Sequence, residues 1–109
     1  MTSTLPSVVS DYFNAENNHD SDAVARCFTA DGIVHDDGHA HAGHDAIRAW
    51  KEAGSKQYGA SIRPDSMDAH GARCVVTGSV SGNFPGSPLD MCFAFTLAGN
   101  RIQTLEISA

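Results

Sequence analysis

The spacing of apolar residues changes once along this chain, and the change limits what the chain can fold into. Up to about residue 57, apolar positions recur every three or four residues, as on one face of an α-helix. From Tyr58 onward they alternate with polar positions, as on a β-strand with one buried face. The sequence therefore predicts helices in the first half and a sheet built mainly from the second half.

Three helices and one small hairpin are predicted in the first half. The first helix opens at Leu5-Pro6-Ser7, where a proline suits the first turn, and it carries Tyr12 on its apolar face. Asp37-Gly38 is a hairpin signal between two short strands. The remaining elements, in chain order, are a second helix at 22–28, a turn at 30–32, strands at 33–36 and 39–42, and a third helix at about 44–57.

The second half is predicted to form strands alone, and Pro64 bends the first of them. With 109 residues, the chain has the size of one domain. We therefore expect a single α+β domain whose three N-terminal helices lie on one face of a curved antiparallel or mixed sheet. The predicted strands are 60–63, 73–84, 89–97 and 101–108.

The composition argues against several classes of partner. A net charge of −6, a pI near 5.3 and only seven scattered Lys and Arg residues argue against nucleic acid, which usually meets a basic face. No apolar run is long enough to cross a membrane, and residues 1–13 lack the basic start and apolar run of a signal peptide. No glycine-rich dinucleotide or phosphate motif is present, so no cofactor is expected. Cys27, Cys74 and Cys92 lie in apolar stretches without a close-spaced pair, which indicates reduced thiols in a cytoplasmic protein.

Residues 33–47, IVHDDGHAHAGHDAI, hold four of the six histidines and three aspartates. Such a stretch suits a metal site, an acid/base apparatus, or a polar hairpin at the mouth of a pocket. His39 and His41 share a face of their strand, and with His35 on the partner strand three imidazoles could converge on a metal ion. The competing interpretation, which we adopt, is that these histidines are solvated. We expect no tightly bound metal, with these three as the ligands if one is bound.

Strand alternation separates Asp36 from its neighbours. It puts Val34 and Asp36 on one side of the strand and His35 and Asp37 on the other. If Val34 faces the core, Asp36 faces a pocket, where loss of water would make its carboxylate a better base. Alternatively, Asp36 or Asp37 only supports the turn.

The same alternation points a set of apolar and aromatic residues inward. Together with one carboxylate and one phenol, they describe a pocket for a small apolar molecule. Tyr12 and Trp50 could equally be core residues, because aromatic side chains on an apolar helix face are common in cores. The predicted pocket residues are Phe28, Val34, Trp50, Met91, Phe93, Phe95, Leu105 and Ile107.

Several stretches, in this order, resemble the nuclear transport factor 2-like superfamily, and within it the SnoaL-like and ketosteroid-isomerase-like proteins. They are YFNA at 12–15, HD at 19–20, CFTADGIV at 27–34, GHDAIRAW at 43–50 and GNRIQ at 99–103. The resemblance implies one SnoaL-like domain over residues 1–109, shaped as a cone in which a bent sheet wraps around the helices and leaves an apolar pocket. The related proteins include isomerases, polyketide cyclases, epoxide hydrolases, dehydratases and non-catalytic binding modules.

The resemblance also implies roles for individual residues. Asp36 falls where ketosteroid isomerases carry the base, and Tyr12 falls at the tyrosine that holds the enolate oxygen. The third group of that site corresponds to Phe93, whose ring cannot donate a hydrogen bond to an oxyanion. Steroid isomerisation is therefore not expected.

Two functions from different classes remain open. The first is cofactor-free acid/base catalysis on a small apolar carbonyl compound, of the isomerase, cyclase or hydrolase kind, with Asp36 as base and Tyr12 or a nearby histidine as hydrogen-bond donor. The second is a non-catalytic small-ligand-binding or accessory dimerisation module. The outward sheet face carries small residues such as Cys92 and Ala94, which predicts a homodimer packed sheet to sheet.

Overall fold

The computed structural model describes residues 6–109 as three helices and six strands in one sheet. The predicted helix start at Leu5 lies outside the described residues. No helix within the described range is long and apolar enough to cross a membrane. In chain order the elements are α1 (Ser7–Asn17), α2 (Ser21–Arg26), β1 (Phe28–Asp36), β2 (His39–Ala42), α3 (His44–Tyr58), β3 (Ser61–His70), β4 (Arg73–Ser81), β5 (Leu89–Ala98) and β6 (Arg101–Ser108).

The sheet is open and mixed, with the strand order β2-β1-β6-β5-β4-β3. Strands β1 and β6 pair in parallel, and every other neighbouring pair is antiparallel. Helix α1 contacts β3 and β6, whereas α3 contacts β1 and β2, so the helices cover one face. This arrangement confirms the predicted α+β fold class.

The strands differ from the prediction where the backbone is irregular. β1 runs through residues 30–32, which were expected to form a turn, and its pairing with β6 shifts register between Phe28 and Ile33. Gly32 lies in that shift, and a Cβ there would come within 2.9 Å of the Phe28 Cβ. β3 continues past Pro64 because the strand lies at the sheet edge and changes register between Pro64 and Ser66, where a missing N–H is tolerated.

Aromatic rings from α1 and the inner face of the sheet fill the core. The ring centroid of Tyr12 lies 5.5 Å from that of Phe95, and Phe13 lies 5.4 Å from Phe93, with both pairs edge to face. Phe93 and Phe95 are fully buried on alternate positions of β5, as predicted for an inward face. The core therefore lies between α1 and the centre of the sheet.

Candidate active site

The β1–β2 hairpin fixes which side chains share the inner face of the sheet. Its turn has positive φ at Asp37 (53°) and Gly38 (76°), the backbone form of a tight hairpin that matches strand twist. In the paired strands, Asp36 lies opposite His39, and Val34 lies opposite His41. Because directly paired residues point to the same side, both histidines share the face of Asp36.

The three histidines of the hairpin do not converge. His35 pairs with Ala40, so its ring points to the outer face, away from His39 and His41. Only His39 and His41 share a face of the hairpin, and the absence of a tightly bound metal stays a prediction. Across residues 6–109, no three His, Cys, Asp or Glu side chains are grouped to hold a metal ion. His44, the fourth histidine of the stretch, places Nε2 2.9 Å from the backbone carbonyl oxygen of Phe28.

Asp36 is partly buried and held by a neighbouring helix. The indole Nε1–H of Trp50, on α3, donates a hydrogen bond to Asp36 Oδ2 at 3.1 Å. The carboxylate makes no ion pair with a Lys or Arg within the part of the chain described. The His41 ring lies beside the indole, with centroids 6.0 Å apart and planes tilted by 33°. We call Asp36, His39, His41 and Trp50 the rim cluster.

An open groove of about 450 Å³ runs past this cluster. Asp36 and Ile107, both predicted site residues, line the groove, and His39 lies beside them. The other lining residues are His35, Asp37, Gly38, Ala40, Glu106 and Ser108, so the groove is more polar than the predicted pocket. Asp36 is thus the carboxylate of the rim cluster that borders the groove.

The remaining predicted pocket residues lie deeper in the molecule. Trp50 and Met91 are partly buried and pack against the core. Whether any of these residues contacts a ligand stays a prediction. Those that are fully or almost fully buried in the core are Phe28, Val34, Phe93, Phe95 and Leu105.

Tyr12 belongs to a second polar cluster, buried between α1 and α3. Its hydroxyl donates a hydrogen bond to Glu16 Oε2. The other oxygen, Glu16 Oε1, lies 2.7 Å from Lys51 Nζ. Burial, first of all, and then the charge of the Glu16 carboxylate, which accepts the Tyr12 hydrogen bond, raise the pKa of Tyr12 well above its usual value, and the charge of Asp36 adds to this. We call Tyr12, Glu16 and Lys51 the buried triad.

Glu16 and Lys51 were not among the predicted site residues, although each has a recognisable position on the buried face of its helix. Glu16 follows Tyr12 by four residues on the apolar face of α1, and Lys51 follows the buried Ile47 by four residues on α3. They are the two buried charged residues in the range described, at 7 % and 5 % exposure. Opposite charges on the buried faces of two helices are the signal that would have found them.

Two of the three cysteines, Cys27 and Cys74, are not activated as nucleophiles. Burial raises the pKa of the Cys27 thiol to about 11, with the Asp11 charge adding to the effect. Burial also raises the pKa of Cys74. Both therefore remain thiols at neutral pH.

The sequence profile of the SnoaL-like domain matches residues 9–104, so the chain belongs to the SnoaL-like domain family. A candidate polyketide cyclase from Sinorhizobium meliloti is 38 % identical over 95 % of both chains, with a TM-score of 0.92. Together these findings confirm the predicted membership of the SnoaL-like, nuclear transport factor 2-like superfamily.

Two more distant structures share the fold. A protein from Catenulispora acidiphila with a ketosteroid isomerase-like fold, solved in complex with trimethylamine, is 19 % identical over 97 % of this chain and 87 % of that one, with a TM-score of 0.88. The epoxide hydrolase/cyclase-like enzyme SalBIII of salinomycin pyran ring formation is 20 % identical over 94 % of this chain and 87 % of that one, with a TM-score of 0.81. None of the curated proteins compared with the chain matches it.

Proposed function

We propose that this protein is a cofactor-independent acid/base enzyme that acts on a small, mostly apolar carbonyl compound, with Asp36 as the base. The observation that carries the proposal is the setting of Asp36. Its carboxylate lies at a groove, has no cationic partner among residues 6–109, and has one oxygen fixed by the Trp50 N–H. A carboxylate held in place but not neutralised keeps a free oxygen for a substrate proton.

The reaction begins when Asp36 Oδ1 takes a proton from the carbon next to the substrate carbonyl. The C–H electrons form the enolate double bond, and the carbonyl electrons move to the oxygen. We assign the hydrogen bond to that oxygen to a ring N–H of His39, because His39 is paired with Asp36 across the hairpin. Return of the proton to a different carbon, with the carbonyl re-formed, completes an isomerisation. In a cyclisation the enolate carbon instead attacks a second carbonyl carbon, the first carbonyl re-forms, and the proton on Asp36 passes to the new alkoxide oxygen.

Tyr12 is the other possible donor, but its hydroxyl proton is already used in a hydrogen bond. Its hydroxyl donates to Glu16, so it would have to exchange that partner before it could serve a substrate. We therefore assign the donor role to His39 ahead of Tyr12. The likeness to a candidate polyketide cyclase at 38 % identity supports ring closure as one outcome, because such closure begins with an enolate.

Proton exchange tests this proposal without knowledge of the natural substrate. The protein is incubated in D2O with a panel of apolar cyclic ketones and β-keto esters, and mass spectrometry follows deuterium uptake at the carbon next to the carbonyl. We expect catalysed uptake that Asp36→Asn abolishes, since the amide cannot accept the proton. Asp11→Asn is the matched control, because Asp11 is exposed on α1 and does not line this groove. Equal uptake with wild type and Asp36→Asn would exclude Asp36 as the base.

A non-catalytic binding module is the second candidate, and one observation favours it. Phe93 is buried in the core where a third donor would stand in the isomerases that the chain resembles, and it offers no hydrogen bond. Native mass spectrometry with the same panel separates the two candidates. Retention of a ketone by wild type with no deuterium uptake would support binding without turnover.

We also propose that the protein is a homodimer packed through the outer sheet face. On β5, Cys92 and Ala94 point outward and are partly exposed, and Val75 lies beside Ala94 on β4. Small residues let two sheets approach closely, and a stable contact needs at least about 1,000 Å² in total. Light scattering should give the mass of two chains for wild type and of one chain for Ala94→Arg. A single-chain mass for wild type at micromolar concentration would rule the dimer out.

A further inference from the structure

We propose that the ion pair of Glu16 and Lys51 is a positioning device for the rim cluster: it fixes the rotation of α3 and so keeps the Trp50 N–H on Asp36. The residue contacts carry this inference independently of catalysis, and only its consequence for turnover rests on the function proposed above. Glu16 and Lys51 are positioning residues here, because neither touches the groove.

Consecutive residues of α3 make the two polar contacts. Trp50 reaches Asp36 on β1, whereas Lys51 reaches Glu16 on α1. Neighbouring residues of an α-helix point about 100° apart, so the two contacts hold the helix from two directions. A helix held in this way cannot rotate without breaking one of them.

The ion pair is also the polar link between helices that otherwise meet mainly through α2. Helix α1 packs on α2, β3 and β6, while α3 packs on α2, β1 and β2. Arg48 and Glu52 of α3 contact Asp22 and Ser21 of α2, whereas α1 and α3 pack little against each other directly. The 2.7 Å contact between Lys51 Nζ and Glu16 Oε1 links α3 to α1 directly.

The energetics point to orientation rather than to stability. An apolar pair of similar volume is often as stable as a buried ion pair, because taking two charges out of water offsets their attraction. The ion pair instead fixes the orientation of the side chains that form it. Both oxygens of Glu16 are occupied, one by Lys51 and one by Tyr12, so the carboxylate has one orientation.

Trp50 is the only tryptophan, so its indole N–H gives one signal in a proton–nitrogen NMR spectrum. The position of that signal, and its rate of exchange with D2O, report the hydrogen bond to Asp36. The Asp36→Asn variant shows where the Trp50 indole signal lies when the acceptor carries no charge. Lys56→Met, on the last turn of α3 and exposed, is the matched control for removing a lysine from this helix.

The decisive variant is the double change Glu16→Leu with Lys51→Met, which replaces the charges by apolar side chains and avoids an unpaired buried charge. We expect it to fold, and its indole signal to move to the Asp36→Asn position and exchange faster, while Lys56→Met keeps the wild-type signal. A wild-type signal in the double variant would reduce the ion pair to a structural contact and overturn the proposal.

A second variant covers the case in which the double variant does not fold. Glu16→Gln with Lys51→Met keeps an oxygen for the Tyr12 hydroxyl and leaves no buried charge unpaired, so we expect a displaced indole signal in a folded protein. An unmoved signal there would also overturn the proposal. These spectra need no substrate, so they can support positioning even if Asp36 proves not to catalyse proton exchange.

Discussion

The rim cluster and the buried triad are built from the same kind of contact and differ in their surroundings. In each, an aromatic donor gives a hydrogen bond to a carboxylate: Trp50 to Asp36 at the rim, and Tyr12 to Glu16 inside. Glu16 also has a lysine at 2.7 Å and little contact with water, whereas Asp36 borders an open groove with no such cation in the described range. A carboxylate paired with a cation has a structural role, whereas a carboxylate without a cation keeps one oxygen available to accept a proton.

Removing Lys51 should cause the largest loss of stability of the variants considered. Lys51→Met leaves the Glu16 charge buried and unpaired, which we expect to cost about 3–5 kcal/mol of unfolding free energy. Urea unfolding followed by Trp50 fluorescence measures this. The exposed Lys56→Met should change the value by less than about 0.5 kcal/mol. Similar effects for the two lysines would mean that the Lys51–Glu16 pair is not buried in solution.

Tyr12→Phe should have the next largest effect. The ring keeps its edge-to-face packing, but Glu16 loses one of its two buried hydrogen-bond partners, for an expected loss of about 1–3 kcal/mol. Tyr58→Phe is the matched control, because Tyr58 is 39 % exposed. If the two variants unfold at the same urea concentration, the Tyr12 hydroxyl contributes nothing to the triad.

Alkaline titration tests the burial of the triad, because the pKa of Tyr12 is raised in the folded protein. The unfolded chain releases this proton near pH 10, while the folded protein holds it to higher pH. Above about pH 10 the unfolded state therefore binds fewer protons, so stability is fully present below that pH and falls as the pH rises further. In a Tyr58→Phe background, tyrosinate absorbance should appear only together with unfolding. Tyrosinate absorbance in a protein that is still folded would show that water reaches Tyr12.

Asp36→Asn should have the smallest effect on stability. Asparagine keeps an oxygen for the Trp50 N–H, and the groove keeps water at the side chain, so we expect a change below about 1 kcal/mol. The same variant should lose catalysed deuterium uptake. A large loss of stability would place Asp36 with Glu16 as a structural carboxylate and weaken its assignment as a base.

Regular strands were predictable from the sequence, and irregular ones were not. β2 and β6 have the predicted bounds, since alternation and turn signals agree there. Residues 30–32 were predicted to form a turn because Asp31-Gly32 is a local turn signal. In the structure they belong to β1, which pairs with β6 on both sides of them.

The candidate site was predictable in part for a similar reason. Alternation placed Asp36 on the face of Val34, and the structure agrees in the burial of both. It could not place His35 relative to His39 and His41, because that depends on which residues pair across the hairpin. Glu16 and Lys51 were missed because a charged residue is ordinarily interpreted as solvated until its partner on another helix is known.

The parallel pairing of β1 with β6 has a consequence for how the chain is made. During synthesis, β1 and β2 leave the ribosome long before residues 101–108, yet the middle of the sheet closes only when β6 inserts between β1 and β5. Without β6 the strands can pair only as two separate groups, β2-β1 and β5-β4-β3, whose facing edges have no partner. A chain truncated before Arg101 would present those edges to chaperones and to other chains.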